Sequence, residues 1–440
     1  MNYENMKSVL LFFLVITSGI LTWNLWTYQP KYEFNDEKHV HEVSISDPKD
    51  VADLIKPVGV LFHFGKDHYG TGKDEHIDEL LSELTSWTFY DFSEPVVYSP
   101  GQIRKLSESE ENIEIIYPDL VPFDIYKGIL RFESDKLPYG AFNRIVIRLE
   151  KGREEDGSVY FISTKDGKVY ESHVNHDQLA ALFNHLEKGK TKYDPYEAYD
   201  LPDGRIKFLP AEKIEVPRYK YYADYIEPDS FKKALFKDPN LVRRDSNADG
   251  EKHMDGTSLM TVNYTTNMIF YVNPGQAIDS RGKNEDMNVL KKSINFVNEH
   301  AGWTDNYHYL SMDPYNKNTA FLLFIKGYPV FNQDGMTEIE LTWGKEEIYQ
   351  YERPYFILDI PLPAPTTVTL PSGKEAMDAL LSNPDIKSDL IQEFIIGYGL
   401  AKDPENPKVL TLEPSWYYLY AGSWLRLDVE DKKGELHGLE

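Results

Sequence analysis

Cysteine is absent from all 440 residues of the sequence, and basic side chains are scarce. Without cysteine the chain can form no disulfide, use no thiol nucleophile and carry no lipid on a thiol, so a hydrophobic core must hold the fold. Lys and Arg number 47 against 72 Asp and Glu, which gives a formal net charge of −25. Because phosphate binding needs clustered Lys and Arg, we expect no nucleic-acid partner.

Recognisable catalytic motifs are missing as well. The sequence contains no G-x-S-x-G elbow, H-E-x-x-H helix, Walker loop or dinucleotide-binding glycine motif. Ser230 and Lys233 have the S-x-x-K spacing of penicillin-binding proteins, but the S-D-N and K-T-G companions are absent. No two carboxylates stand out as the acid pair of a glycosidase. We therefore predict no catalytic residue.

Candidate metal sites are incomplete. The first half of a calcium-binding loop is matched by Asp245, Asn247, Asp249 and Gly250. Gly256 stands at the twelfth position, where the loop needs a bidentate acid, so a solvated turn is favoured. The histidine pairs, His39 with His41 and His63 with His68, would each need a third ligand. We expect neither a metal site nor a cofactor.

One long hydrophobic run, from Val9 to Trp26, contains no charged residue. As a helix its 18 residues would span about 27 Å, close to the hydrocarbon core of a bilayer at about 30 Å. Trp23, Trp26 and Tyr28 would lie at the headgroup level as membrane-interface anchors. A cleaved signal peptide is the alternative interpretation. A signal peptidase needs small residues in an A-x-A-like site, and the end of the run offers none. We predict a retained single-pass anchor.

This anchor divides the chain into segments. Residues 1–8 are expected to be a short cytoplasmic leader, 9–28 the transmembrane anchor and 29–50 a polar stalk. A short leader, with the aromatic belt on the far side, favours a cytoplasmic N-terminus and an extracytoplasmic ectodomain at the cell membrane. Because about 400 residues exceed a single core, we predict three parts, at 51–138, 139–256 and 257–440.

Hydrophobic periodicity predicts an α+β ectodomain of antiparallel sheets with packed helices. Four helices are expected. One runs from Asp74 to Trp87 and is capped by Thr71 and Asp74, one is capped by Asn175 and Gln178 and ended by Gly189, one is opened by a Ser372/Glu375 capping box, and one runs from Met287 to His300. A hairpin turn is expected at Lys165-Asp166-Gly167 and a polar loop from Arg243 to Asp255.

Several strings resemble one known family over essentially the whole chain. The opening ENMKSVLLFFLVITSGILTWNLWTYQPKYE is similar to the start of the YycH (WalH) family of low-GC Gram-positive bacteria. Later family segments resemble HMDGTSLMTVN from His253, KGYPVF from Lys326 and EPSWYYLYAGSW from Glu413. The leader string is the most specific of these matches.

The resemblance implies an auxiliary protein of the WalK/WalR (YycG/YycF) two-component system, which controls cell-wall metabolism. Members of this family are non-enzymatic and contact the WalK sensor histidine kinase largely through transmembrane helices. They act together with a companion of similar fold, YycI, which the last domain of YycH resembles. The expected partners are therefore the kinase, a YycI-like protein and, as a further assembly, a homo-oligomer.

The residues of the anchor suggest how such a contact forms. Transmembrane helices associate through close packing of small residues and through hydrogen bonds. Helical spacing brings Val15, Ser18, Gly19 and Thr22 to one face. We expect this face to bind the kinase helices and bias their equilibrium between two states. The opposing interpretation is that small residues are simply common in membrane spans.

A membrane-tethered cell-wall-binding module or hydrolase is the alternative function. The supporting feature is a group of aromatic residues near the C-terminus that could stack on sugars, namely Trp416, Tyr417, Tyr418, Tyr420 and Trp424. Because successive side chains of a strand point to opposite faces, at least half of them are expected to lie in a core.

Overall fold

The computed structural model describes residues 46–107, 111–148, 157–203, 205–277, 285–363 and 366–428, together with five residues near the N-terminus, Leu11, Leu14, Val15, Thr17 and Ser18, which are helical. The chain divides into two compact units, Met1–His41 and Glu42–Glu440. Within the described residues, no helix is both long enough and apolar enough to cross a bilayer. Most of the predicted anchor lies outside those residues.

The first part of the second unit forms a nine-stranded antiparallel sheet. Its strand order is β11-β10-β2-β1-β5-β7-β8-β9-β4. The bounds are β1 Gly59–Phe64, β2 Asp67–Thr71, β4 Val96–Val97, β5 Glu111–Pro122, β7 Ala141–Arg148, β8 Gly157–Ile162, β9 Lys168–Val174, β10 Asp194–Asp200 and β11 Ile206–Pro210. A short parallel pair lies apart from it, β3 Thr88–Phe89 with β6 Arg131–Phe132.

The rest of the chain forms a sheet of 15 strands. The order along its main path is β13-β14-β15-β16-β21-β20-β18-β19-β24-β25-β12-β22, while β17 pairs with β18, β23 with β12 and β26 with β25. The bounds are β12 Ile214–Tyr225, β13 Arg243–Asn247, β14 Gly250–Met254, β15 Leu259–Asn263, β16 Met268–Val272, β17 Tyr307–Asp313, β18 Asn318–Ile325, β19 Tyr328–Phe331, β20 Glu338–Trp343, β21 Ile348–Pro354, β22 Phe356–Pro361, β23 Thr366–Leu370, β24 Ile391–Lys402, β25 Val409–Tyr420 and β26 Ser423–Arg426. Among these strands only β19 and β24 pair in parallel. The predicted α+β class with antiparallel sheets is confirmed.

Eight α-helices pack on these sheets in the described part of the second unit. They are α1 Val51–Leu54, α2 Asp74–Thr85, α3 Pro100–Ser107, α4 Phe123–Tyr126, α5 His176–Lys188, α6 Pro228–Leu235, α7 Val289–Glu299 and α8 Gly373–Leu381. Helix α7 packs on β18, and α8 packs on β11 of the other sheet. The buried apolar residues of seven of these helices belong to one large cluster that reaches from Leu54 to Leu427, while Leu106 of α3 belongs to a smaller separate cluster.

Several predicted elements are confirmed by the structure. The predicted helix at Asp74 is α2, and the predicted helix near Met287 is α7. Asn175 caps α5 by accepting hydrogen bonds from two backbone N–H groups. The Ser372/Glu375 capping box at α8 is complete, with both reciprocal hydrogen bonds formed. The limits of the three ectodomain parts stay predictions.

Two local predictions are wrong. The predicted polar loop from Arg243 to Asp255 is a hairpin of β13 and β14, and all five residues of β13 are exposed. Because β13 lies at the sheet edge, its polar composition does not prevent it from pairing on one side. Lys73, not Thr71 or Asp74, occupies the N-cap of α2. Thr71 instead accepts a hydrogen bond from the Lys73 N–H at 3.2 Å.

The two sheets are joined by direct contacts that fix one against the other. Strand β17 packs on β5, where the Tyr309 hydroxyl donates to the Leu120 carbonyl at 2.6 Å. The turn between β18 and β19 inserts beside the start of α2. An ideal Cβ on Gly327 would lie 2.1 Å from the carbonyl oxygen of Gly72. The second sheet is therefore held in a fixed position against the first.

Candidate functional site

The predicted anchor face is only partly described by the structure. Val15 and Ser18 are helical there, and the Val15 side chain is 63% exposed. Gly19 and Thr22 lie outside the described residues, as do the predicted interface anchors Trp23, Trp26 and Tyr28. The proposed grouping of the small residues on one binding face stays a prediction.

A half-open cleft lies over strands β15, β16, β20 and β21 of the second sheet. Its volume is about 320 Å³. We call it the acidic cleft, and it is lined by Thr261, Asn263, Thr266, Met268, Phe270, Asp334, Gly335, Glu338, Glu340 and Glu352. Four of these ten residues are carboxylates and none is basic. The cleft therefore favours a positively charged group over an anion.

Strand alternation explains why carboxylates line this cleft. In β20 the side chains of Ile339 and Leu341 are fully buried, so Glu338 and Glu340 project to the opposite face. Glu340 pairs directly with Glu352 of β21 in the register of the two strands. Like charges placed directly opposite each other destabilise a sheet. The sheet therefore tolerates a repulsive pair at this position.

The pKa values of the glutamates in the acidic cleft show that placing them together disfavours their charged forms. Burial, together with Glu340 and Glu352, raises the pKa of Glu338 to about 7. Burial and Glu340 also raise the pKa of Glu352. The charged groups that act on Glu338 are thus both acidic. At neutral pH this cleft can bind and release a proton, and a cation would relieve the repulsion.

The predicted metal-site candidates have ordinary structural roles. Within the part of the chain that the structure describes, no three His, Asp or Glu residues are arranged to hold a metal ion. The calcium-like string is the β13–β14 turn, in which the Asn247 carboxamide oxygen accepts from the N–H groups of Asp249 and Gly250. His39 and His41 lie outside the described residues.

The S-x-x-K string also has a structural role, because its Lys233 forms an ion pair with Asp229 at 2.9 Å.

The other histidine pair belongs to a buried ionic cluster that sequence reasoning missed. His63 and His68 face each other across β1 and β2 with 2.7 Å between their Nδ1 atoms. Glu114, which is 1% exposed, lies 3.9 Å from His63 Nε2 and forms an ion pair with Arg144. Burial raises the pKa of Glu114, but Arg144, His63 and Ser107 outweigh it and hold the pKa below its usual range. This cluster is neutralised internally.

The aromatic group near the C-terminus does not form the predicted sugar-stacking platform. Trp416, Tyr417 and Tyr418 are between 2% and 9% exposed. Trp416 stacks on Phe394 with ring centroids 4.7 Å apart. Of the five, only Tyr420 and Trp424 are partly exposed. The expectation that at least half of these residues lie in a core is confirmed, so the five together do not form one stacking surface.

The residues of the acidic cleft were also missed by sequence reasoning. The signal that could have found them is the alternation of charged and apolar residues in EIEL of β20, together with a further Glu in YER of β21. Alternation predicts the outward face, but it does not predict which strands are neighbours. The pairing of β20 with β21 brings the three glutamates together.

Comparison with known proteins identifies the family. A model of the YycH protein N-terminal domain matches residues 4–191, and a model of the YycH protein C-terminal domain matches residues 205–434. This chain belongs to the YycH family. The family predicted from the sequence is thereby confirmed.

Two relatives agree with that assignment. The chain is 23% identical over 462 aligned residues to the two-component system WalR/WalK regulatory protein YycH of Bacillus subtilis (strain 168), with all of both chains covered. It also resembles the crystal structure of YycH from Bacillus subtilis, with a TM-score of 0.72, 19% identity, and 88% of this chain and 99% of that chain covered. This second likeness shows that the fold is shared.

Proposed function

We propose that this protein is a non-enzymatic, membrane-anchored regulator of the WalK (YycG) sensor histidine kinase that controls cell-wall homeostasis signalling. The observation that supports the proposal is the family match, which begins at residue 4 and reaches residue 434. The Bacillus subtilis relative that aligns over the full length is itself described as a WalR/WalK regulatory protein. The match includes the apolar run from Val9 to Trp26 as well as the ectodomain.

The proposed protein has a cytoplasmic N-terminus, one membrane span and an extracytoplasmic ectodomain. The span, not the ectodomain, carries the main contact with the kinase, and a YycI-like companion joins the same assembly. The apolar run supports this arrangement because it is long enough to cross a bilayer and carries no charge. Self-association into a homo-oligomer is a further element of the proposal.

The contact is proposed to use Val15, Ser18, Gly19 and Thr22. Small side chains let two helix backbones approach closely, and hydroxyl groups can donate hydrogen bonds across the interface. Tighter packing against one kinase state than another would shift the kinase between its states, since only a difference in affinity moves such an equilibrium.

Replacing Ser18, Gly19 and Thr22 together with leucine tests this face. We expect capture of the kinase from membranes to fall roughly tenfold, because loss of close packing costs about 1–2 kcal/mol. Membrane insertion should be unchanged, since leucine is more apolar than the residues it replaces. The measurement is co-purification of the kinase with the full-length protein.

Thr17→Leu is the matched control. Thr17 lies two positions from Val15, on the other side of the helix, and the change also replaces a small polar residue with leucine. Its kinase capture should equal that of the unchanged protein. Undiminished capture by the triple variant would contradict the proposed face.

A further inference from the structure

The end of the predicted stalk is bound to the C-terminal half of the ectodomain by polar contacts. The Ser46 hydroxyl donates to the Trp303 carbonyl. The Lys49 N–H donates to the Asn298 carboxamide oxygen at 3.0 Å, and the Asn298 amide donates back to the Lys49 carbonyl at 3.0 Å. The Lys49 ammonium donates to the Asp305 carbonyl at 2.8 Å. We call residues 46–50 the strap, and Asn298, Trp303 and Asp305 the clasp.

The clasp is built rigidly from the end of α7. Trp303 is 2% exposed, and its indole N–H donates to the Asn298 carboxamide oxygen at 2.7 Å, which fixes the orientation of that side chain. Ala301 and Gly302 both have positive φ, at 84° and 70°. The buried Arg353 guanidinium donates to the Gly302 carbonyl at 2.9 Å. This turn is therefore held in a conformation that an unsupported chain would avoid.

The strap fits closely against this turn. An ideal Cβ on Gly302 would lie only 2.5 Å from the Ser46 carbonyl oxygen. At that distance a side chain and the strap could not both occupy the site. A glycine at this position therefore satisfies two requirements, the positive φ of the turn and the close approach of the strap.

The strap contacts the clasp through hydrogen bonds, and no strap residue belongs to the described hydrophobic core clusters. None of residues 46–50 is buried, whereas Leu54 and Ile55, a few residues further on, are 0% exposed. A hydrogen bond contributes little net free energy to a folded state compared with the burial of large apolar side chains. The strap can therefore detach while α1 stays in the core. Detachment would free about five residues, or roughly 17 Å of extended chain.

We infer that the strap is a reversible fastening that couples the predicted anchor to the C-terminal half of the ectodomain. When the strap is docked, Ser46 lies at the clasp and the chain is held from residue 46 onward. When the strap is released, the chain is held from α1 onward and the tether is longer. Any event that favours one of these states changes how the ectodomain restrains the anchor. The consequence for the kinase rests on the proposed function, but the fastening itself does not.

The absence of cysteine makes docking directly measurable. Ser46→Cys introduces a single thiol beside the Trp303 carbonyl of the clasp in the full-length protein. This thiol is partly covered in the docked strap, so its rate of maleimide labelling rises as the strap opens more often. Asn298→Asp retains an oxygen acceptor for Trp303 and for the Lys49 N–H, but it places an oxygen against the Lys49 carbonyl. We expect labelling at position 46 to accelerate roughly tenfold when Asn298→Asp is added, because a part-buried hydrogen bond to the Lys49 carbonyl is replaced by repulsion.

Two controls separate release of the strap from general unfolding. Ser82→Cys, on the exposed face of α2, should be labelled at the same rate with and without Asn298→Asp. Lys49→Met should also open the strap, whereas Lys56→Met removes the same charge from an ion pair with Asp78 and should leave the strap closed. These two lysine variants are compared by hydrogen exchange of the strap amides. Equal labelling at position 46 with and without Asn298→Asp would overturn the fastening.

Kinase activity then tests the coupling. We expect Asn298→Asp, Lys49→Met and Lys56→Met all to capture the kinase as well as the unchanged protein does. Asn298→Asp and Lys49→Met should change its autophosphorylation at least twofold, whereas Lys56→Met should leave it unchanged. An open strap with unchanged autophosphorylation would overturn the coupling. If the unchanged protein captures no kinase, the proposed function fails, and the labelling rates alone decide whether the strap is fastened by the clasp.

Discussion

Two groups of buried or half-buried carboxylates in this protein have opposite surroundings. Glu114 is enclosed with Arg144 and His63, so its negative charge is compensated inside the first sheet. Glu338 faces two further glutamates in the acidic cleft. A compensated carboxylate is a structural feature, whereas an uncompensated one costs stability that the fold does not recover locally. Proton binding in the acidic cleft therefore affects the stability of the fold directly.

Glu338→Gln should make the protein more stable at neutral and alkaline pH. The pKa of Glu338 is about 7 in the folded state against an ordinary value of 4.5. Below about pH 4.5 the Glu338 carboxyl is protonated, and its contribution to the free energy of unfolding is fully present. This contribution is lost as the pH rises through about 7 and the carboxyl ionises in the folded state. We expect the variant to gain about 2 kcal/mol in free energy of unfolding at pH 8, and nothing near pH 4.5.

Urea titrations at the two pH values measure this difference. Glu346→Gln, in the exposed turn between β20 and β21, makes the same chemical change outside the acidic cleft and should alter neither value. An equal gain for Glu346→Gln would mean that the effect comes from net charge and not from the cleft. Absence of any gain for Glu338→Gln would show that its carboxylate is not destabilising.

At the scale of elements, features formed by residues close in sequence could be predicted, whereas features that depend on the pairing of distant strands could not. Caps that depend on neighbouring residues, such as Asn175 and the Ser372/Glu375 box, follow from sequence because both partners lie within four positions. The hairpin of β13 and β14 was missed because its residues are polar, and its pairing with β15 provides the stability. The acidic cleft was missed because it depends on the order of strands in the sheet. Tertiary pairing outweighs local propensity in both cases.

The turn between β18 and β19 is an element whose role depends on tertiary contact. Lys326 and Gly327 both have positive φ there, and Gly327 lies against the backbone of Gly72 and Lys73. Gly327→Ala would place a methyl group 2.1 Å from a carbonyl oxygen in addition to straining the turn. We expect a loss of about 3 kcal/mol in free energy of unfolding.

Gly335→Ala separates the two effects. Gly335 has φ of 73°, similar to Gly327, but an ideal Cβ on it would meet no atom within 4 Å. Only the backbone penalty applies, so we expect a loss of about 1 kcal/mol. Chemical denaturation measures both variants. Equal losses would contradict a tight contact between this turn and the start of α2.

At the scale of the whole molecule, residues 42–440, which include most of both matched family regions, form one compact unit. Contacts between β17 and β5, between α8 and β11, and at the Gly327 turn hold the two sheets together. The strap fastens the N-terminal end of this unit to the end of α7. The family could be predicted from the leader string, whereas the strap could not, because its partners lie about 250 positions away.

Replacement of the native span tests the central claim most directly. Full-length protein with Val9 to Trp26 intact, and a version with an unrelated membrane span in its place, are crosslinked in membranes and purified. The account predicts that the native span captures the WalK kinase and a YycI-like companion, and that the substitute span loses the kinase while the ectodomain stays folded. Equal capture of the kinase by both versions would contradict a contact through the membrane helix.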